Sequence, residues 1–122
     1  MFLRLPHTAL EVFKASEELV TECYKTTRKF PNDEKFTLVQ QIRRAAISVH
    51  LNIAEGCSRK SENERARFFE ISRGSIVEID TAINISFKLG YITEQELEVV
   101  GLSIIKTFKL LSGMIRHERI CN

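Results

Sequence analysis

The chain has no tryptophan and only two prolines, five glycines and three cysteines among its 122 residues. So few prolines and glycines leave long stretches free to form helices. Cys23, Cys57 and Cys121 are odd in number, far apart and without a CxxC pair, which indicates reduced thiols and excludes a disulfide framework. An excess of one charge is also missing. The 18 basic residues oppose 16 acidic ones, which excludes a strongly basic DNA-coating protein and an acidic disordered tail.

The sequence contains no long apolar run and no secretory signal. Its apolar runs are a few residues long, whereas about 18 are needed to span a bilayer, and residues 1–6 do not resemble a signal peptide. We therefore expect a cytoplasmic protein that does not enter membranes. A chain of 122 residues, 43% of them hydrophobic, predicts one globular domain over residues 1–122 that folds without a cofactor.

Apolar side chains recur at helical spacing in four segments, and no segment shows the period of two that is typical of strands. In the fourth segment, for example, the inward stripe is Leu97, Val100, Ile104, Phe108, Leu111 and Ile115. Three capping boxes, which satisfy free amide groups at helix starts, are Thr8 with Glu11, Ser61 with Glu64, and Thr93 with Glu96. Asn32 or Asp33 can cap the remaining helix.

The predicted helices cover residues 9–30, 33–56, 62–89 and 94–117, with ends marked by Pro31, Gly56 and Gly90. Connections of a few residues force sequential helices to run antiparallel. The fold prediction is therefore all-α, an antiparallel up-down-up-down four-helix bundle. Asn52 falls on the inward stripe of helix two, where its amide must find hydrogen-bond partners within or between helices.

Helix two also has apolar residues on the side opposite its core stripe. With Val49 at the centre of that stripe, three of them lie about 140 to 200° away at 100° per residue. A charged residue borders this patch at each end, as at the rim of a protein interface. The predicted oligomer interface comprises Arg44, Ile47, Leu51, Ala54 and Glu55. Helix three repeats the pattern with Ile71, Ala82, Ile85 and Leu89. The alternative is scattered surface hydrophobic residues on a monomer.

The residue patterns of common catalytic sites are missing. The glycines are isolated, so there is no phosphate-binding loop. The histidines lack the Glu-x-x-His spacing of di-metal bundles, and His50 lies off the core stripe, which predicts a surface residue. Ser75 has no base or oxyanion donor nearby in sequence. We expect no enzyme activity, no metal site and no cofactor.

One stretch of the chain is locally basic. Between residues 43 and 73, seven Arg and Lys residues oppose four Glu residues, a balance of +3. The candidate nucleic-acid-binding residues, which would contact phosphates, are Arg43, Arg59, Lys60, Arg65 and Arg67. The alternative is a solvated helix end that binds nothing.

Several sequence blocks resemble a known family. They are Leu10–Phe13, Gln41–Val49, Asn52–Gly56, Gly74–Glu78 and Leu89–Ile92. Together they resemble the four-helix-bundle proteins encoded by intervening sequences in bacterial 23S ribosomal RNA genes. The resemblance implies a homopentamer without known catalysis. It also implies nucleic-acid binding, because the family is similar to the accessory variability determinant protein of diversity-generating retroelements.

These observations leave three function classes, in this order of preference. The first is an oligomeric nucleic-acid-binding protein with self and RNA as partners. The second is a protein-interaction scaffold without nucleic-acid binding. The third is an enzyme with an unrecognised site.

Overall fold

A computed structural model describes residues 1–121, with side chains described for residues 1–118. The helices are α1 (Glu11–Thr27), α2 (Gln40–Cys57), α3 (Glu62–Lys88) and α4 (Glu94–Cys121). Short 3-10 turns at Pro6–Ala9 and Asn32–Glu34 and a π-helical turn at Lys35–Val39 complete the described chain. Residues 1–121 contain no strand, which confirms the all-α prediction. The prediction for the Cys121 thiol lies outside the described side chains.

The four helices form a bundle in which α1 packs on α2, α2 on α3, α3 on α4, and α4 back on α1. Arg43 near the start of α2 bonds to Thr27 at the end of α1. Arg65 near the start of α3 bonds to Glu118 near the end of α4. Such contacts join the end of one helix to the start of its neighbour and are those of antiparallel pairs. The four-helix-bundle prediction is confirmed.

The core runs along the bundle axis and consists mainly of aliphatic side chains. Its largest fully buried members include Leu19, Ile42, Ile53, Phe69, Ile76 and Leu111. Two predicted orientations are wrong. Phe108 is 38% exposed because Thr107 takes the inward position between Ile104 and Leu111. Ala82, predicted on the outer side of helix three, is buried beside Ile83.

The capping boxes differ in outcome. Thr93 Oγ1 accepts from the Glu96 amide at 3.1 Å, and Glu96 Oε1 accepts from the Thr93 amide at 3.0 Å, so this box forms in full. Ser61 Oγ accepts from the Glu64 amide and caps α3. The prediction that Thr8 and Glu11 cap helix one is wrong, because Thr8 Oγ1 donates to a carbonyl of the preceding 3-10 turn and α1 begins without a side-chain cap.

The start of the second helical segment also differs from the prediction. Neither Asn32 nor Asp33 caps it, and the chain passes through the 3-10 and π-helical turns before α2. Glu34 holds this region, since its carboxylate accepts from Thr37 and from Tyr91 Oη, the latter at 2.9 Å. Tyr91, on the α3–α4 connection, thus contacts this turn from a distant part of the chain. No local motif indicates such a contact.

The predicted ends of α2 and α3 are confirmed. α2 ends at Cys57, and α3 ends before Gly90, whose φ is +86°. The Gly90 amide donates to the Phe87 carbonyl at 2.9 Å, and the Tyr91 amide donates to the Ser86 carbonyl at 3.0 Å. These two bonds form a Schellman motif, in which glycine is favoured because φ is positive.

Candidate nucleic-acid interface

Three exposed cations belong to the stretch of chain where α2 ends and α3 begins. Arg59 and Lys60 are on the α2–α3 connection, and Arg67 follows on the second turn of α3. We call these three residues the basic end. Among the described side chains, those of Lys60 and Arg67 have no hydrogen-bond or ion-pair partner. Both are therefore free to meet an anion.

Arg59 is oriented by two contacts. Its Nη2 donates to Glu55 Oε1 at 2.6 Å, and its guanidinium lies 4.9 Å from the centroid of the Phe68 ring. Contact with a ring face holds a planar cation in place without using its N–H donors. Sequence reasoning missed Phe68 as a neighbour, although the short connection between α2 and α3 brings their ends together.

Arg65 holds the connection that carries the basic end. Its Nε and Nη2 donate to the two carboxylate oxygens of Glu118 at 3.1 and 3.0 Å. Its Nη1 donates to the carbonyl oxygens of Arg59 and Lys60 at 3.2 and 2.8 Å. Hydrogen bonding to Glu118 raises the pKa of Arg65. The guanidinium is engaged within the subunit and acts as a positioning group for its neighbours.

Arg43 lies far from the basic end. It is fourteen residues from the end of α2 at Cys57, about 21 Å at 1.5 Å per residue. Its Nε donates to Thr27 Oγ1 at 2.9 Å, and its guanidinium lies 4.5 Å from the Tyr24 ring centroid. The structure therefore does not bring together all five predicted phosphate-binding residues, because Arg43 fastens α2 to α1 at the other end of the bundle.

The predicted oligomer interface on α2 is reduced to four exposed residues. Ile47 and Leu51 are exposed, Leu51 to 61%, and the exposed Arg44 and Glu55 stand at its two ends. We call these four residues the α2 ridge. Ala54 is half-buried and packs against the core, which corrects its predicted outward position. At this end of α2, Ile53, Ala54 and Cys57 all pack against the core, so the buried side of the helix is wider there.

A larger apolar surface, which sequence reasoning missed, lies on α4 and the adjoining side of α3. A groove of about 400 Å³ runs between these helices and is lined by Ile76, Val77, Asp80, Ile104, Ile105, Phe108 and Lys109. We call it the α3–α4 groove. The sequence held one signal of it, since the apolar Ile105 lies beside the predicted core stripe of helix four, and it is about half exposed.

A serine and a histidine meet between α1 and α2. Ser16 Oγ lies 2.6 Å from His50 Nδ1 and donates its own hydrogen to the Phe13 carbonyl at 2.9 Å. The imidazole Nδ1 is then the donor to Ser16. Ser16 is fully buried, so this pair offers no accessible nucleophile. His50 itself is half-buried and stacked on Phe13, which corrects the predicted surface position, and its burial lowers its pKa.

Other reactive groups are held in inert surroundings. Cys23 and Cys57 are free, and burial raises the pKa of both thiols, to about 12 for Cys23.

Over the described side chains, no three His, Cys, Asp or Glu residues are placed to hold a metal ion. Within residues 1–121, no helix has both the length and the apolar character needed to cross a membrane. Asn52 Nδ2 donates to the Ser48 carbonyl at 2.8 Å, as predicted.

Comparisons with known proteins find one family and one fold. The model of a family described as 23S rRNA-intervening sequence protein matches residues 8–113. A crystal structure of a protein with unknown function, from the S23 ribosomal protein family of Bacteroides thetaiotaomicron VPI-5482, is similar with a TM-score of 0.77 and 22% identity. The alignment covers 85% of this chain and 97% of that one. At this identity the likeness shows the fold alone. No curated protein matches significantly.

Proposed function

Because the chain belongs to the 23S rRNA-intervening sequence protein family, we propose that it is a homo-oligomeric, non-enzymatic cytoplasmic protein that binds RNA, or nucleic acid more generally. Binding is through phosphate contacts at the basic end. The expected number of five subunits follows from the family resemblance.

The observation that carries this proposal is the basic end itself. Lys60 and Arg67 are exposed without a partner among the described side chains, and Arg59 keeps donors free beside Phe68. Phosphate binding requires such accessible cations at fixed positions. Arg65 supplies the fixed position by holding the carbonyl groups of the connection.

Oligomerisation multiplies the small positive net charge of one subunit. One chain has a net charge of only +2, whereas a ring of five carries about +10 and repeats the basic end around its rim. If each subunit meets about two phosphates, about ten counterions are released, and log affinity falls with log salt at a slope near −9.

A salt series with matched charge variants tests the proposal. We expect Arg59→Gln, Lys60→Gln and Arg67→Gln together to weaken RNA binding at least a hundredfold and to flatten the salt slope. The loss is similar for unrelated sequences because phosphate contacts carry no base information. The matched control removes the same charge at the opposite end, where Arg28, Lys35 and Lys88 are exposed. Filter binding measures both. The proposal would be contradicted if the affinity for RNA depended neither on the salt concentration nor on the triple substitution at Arg59, Lys60 and Arg67.

The second candidate function is a protein-interaction scaffold without nucleic-acid binding. The exposed apolar α3–α4 groove favours it, since patches of this kind mark interaction sites. An intact oligomer that shows no salt-dependent nucleic-acid binding is the result that would favour this candidate.

A further inference from the structure

A ring needs two different surfaces on each subunit. In a closed ring of more than two copies, every interface joins one patch to a different patch on the next copy. The α2 ridge can supply only one of these. The following inference therefore rests on the proposed self-association and concerns the surface that receives the ridge.

The α3–α4 groove has the exposed apolar lining expected of that second surface. Two of its apolar side chains are about half exposed, Val77 at 52% and Ile105 at 51%. Nothing else in the described subunit covers them. Leu51, the more exposed of the two apolar side chains of the α2 ridge, is aliphatic like most of the groove lining. Joining the two removes apolar surface of both subunits from water.

The charges beside the two surfaces are complementary. Arg44 at the N-terminal end of the α2 ridge and Asp80 at the edge of the groove are exposed, and neither has an ion-pair partner among the described side chains. Glu55 at the other end of the ridge already binds Arg59 within the subunit, so the pair between subunits is Arg44 with Asp80. Opposed charges of this kind fix orientation and suppress wrong pairings.

We propose that the α2 ridge of one subunit docks in the α3–α4 groove of the next copy, with Leu51 in the groove and Arg44 beside Asp80. The occupant of the groove is a second copy of this chain.

The placement of the two surfaces suits a ring. α2 is adjacent to α3 but diagonal to α4, so the ridge on α2 and the groove between α3 and α4 lie on different sides of the bundle. Each added copy therefore rotates in the same sense, and the series can close on itself. A two-fold dimer, in which one patch meets itself, would leave the groove uncovered.

Complementation between two damaged subunits tests the docking directly. Leu51→Glu places a charge on the α2 ridge and leaves the groove unchanged. Ile105→Glu places a charge in the groove and leaves the ridge unchanged. We expect each variant alone to be monomeric, because the charge must be desolvated on docking. An equimolar mixture should form 1:1 heterodimers through its one undamaged interface, seen by sedimentation velocity. Leu102→Glu is the matched control, since Leu102 is exposed on the same helix but faces α1, and should keep the wild-type assembly.

Three outcomes overturn the inference. An oligomeric Ile105→Glu variant means that the groove is not an interface. A mixture that stays monomeric while the wild type assembles means that the ridge and groove do not meet, and leaves the proposed function standing. A monomeric wild type overturns the proposed self-association as well. Circular dichroism of each variant verifies that the helices are intact.

Charge reversal supplies an independent readout. Arg44→Glu and Asp80→Arg should each raise the dissociation constant of the assembly at least tenfold, and the double variant should recover most of that loss. Failure of the double variant to recover would contradict the assigned pairing.

Discussion

The guanidinium of Arg65 and the carboxylate of Glu118 form a two-point pair between α3 and α4, with N···O distances of 3.1 and 3.0 Å. The same guanidinium reaches two carbonyl oxygens of the α2–α3 connection. One side chain therefore joins α3, α4 and the α2–α3 connection at the basic end. Planar, forked donors are required for this arrangement, and lysine lacks them.

We expect Arg65→Lys to lower the melting temperature by several degrees, although the charge is kept, because the paired hydrogen bonds are lost. Thermal unfolding measures this. Arg67→Lys is the control, since Arg67 is exposed and unpaired within the described part of the subunit, and should leave the melting temperature unchanged. An unchanged melting temperature for Arg65→Lys would show that the pair does not stabilise the bundle.

The α2–α3 contact depends on a glycine. A Cβ placed on Gly56 would lie 2.7 Å from a Phe69 ring carbon, and Phe69 is nearly fully buried in the core. Gly56→Ala should therefore lower the free energy of unfolding by about 1 to 3 kcal/mol, as overpacking does. Gly74 has nothing within 4 Å of its Cβ position, so Gly74→Ala should raise that free energy by about 0.5 to 1 kcal/mol. Urea unfolding of the two variants would contradict this reasoning if they changed stability in the same direction.

Stability should depend on pH through His50. Burial lowers the pKa of this residue from its ordinary value of 6.5, so the unfolded chain takes up the proton first as the pH falls. The contribution of His50 to stability is complete above pH 6.5 and is lost below it, down to the lowered pKa of the folded state. Denaturation midpoints between pH 5 and 7 should rise with pH, and His50→Gln should flatten that rise. A slope identical in both proteins would assign the dependence to other groups.

The helices and their order could be predicted from the sequence because their signals are local. Apolar periodicity places all four helices, and Gly90 marks a helix end that the positive φ explains. Arg65 could not be assigned its role in the same way. Its partner Glu118 is 53 residues away, so the charge pattern predicts a free cation where the fold pairs it. The α3–α4 groove also depends on packing between two helices.

Two segments with the same Thr-x-x-Glu pattern show that a local motif does not always predict a helix cap. Thr93 and Glu96 form the predicted capping box, whereas Thr8 bonds within the 3-10 turn that begins at Pro6. Proline fixes φ at the start of that turn. The Thr8 hydroxyl is hydrogen-bonded within the turn and does not cap α1. The motif is local, but its outcome depends on the residue before it.

This difference yields a direct comparison. Thr93→Ala removes the acceptor for the Glu96 amide at the start of α4 and should lower the free energy of unfolding by about 1 kcal/mol. Thr8→Ala removes an exposed bond that caps no α-helix and should change it by less than about 0.5 kcal/mol. Chemical denaturation of both variants measures the two values under the same conditions. If Thr8→Ala cost as much as Thr93→Ala, Thr8 would be acting as a helix cap in solution, and the 3-10 turn before α1 would be the wrong description of that helix start.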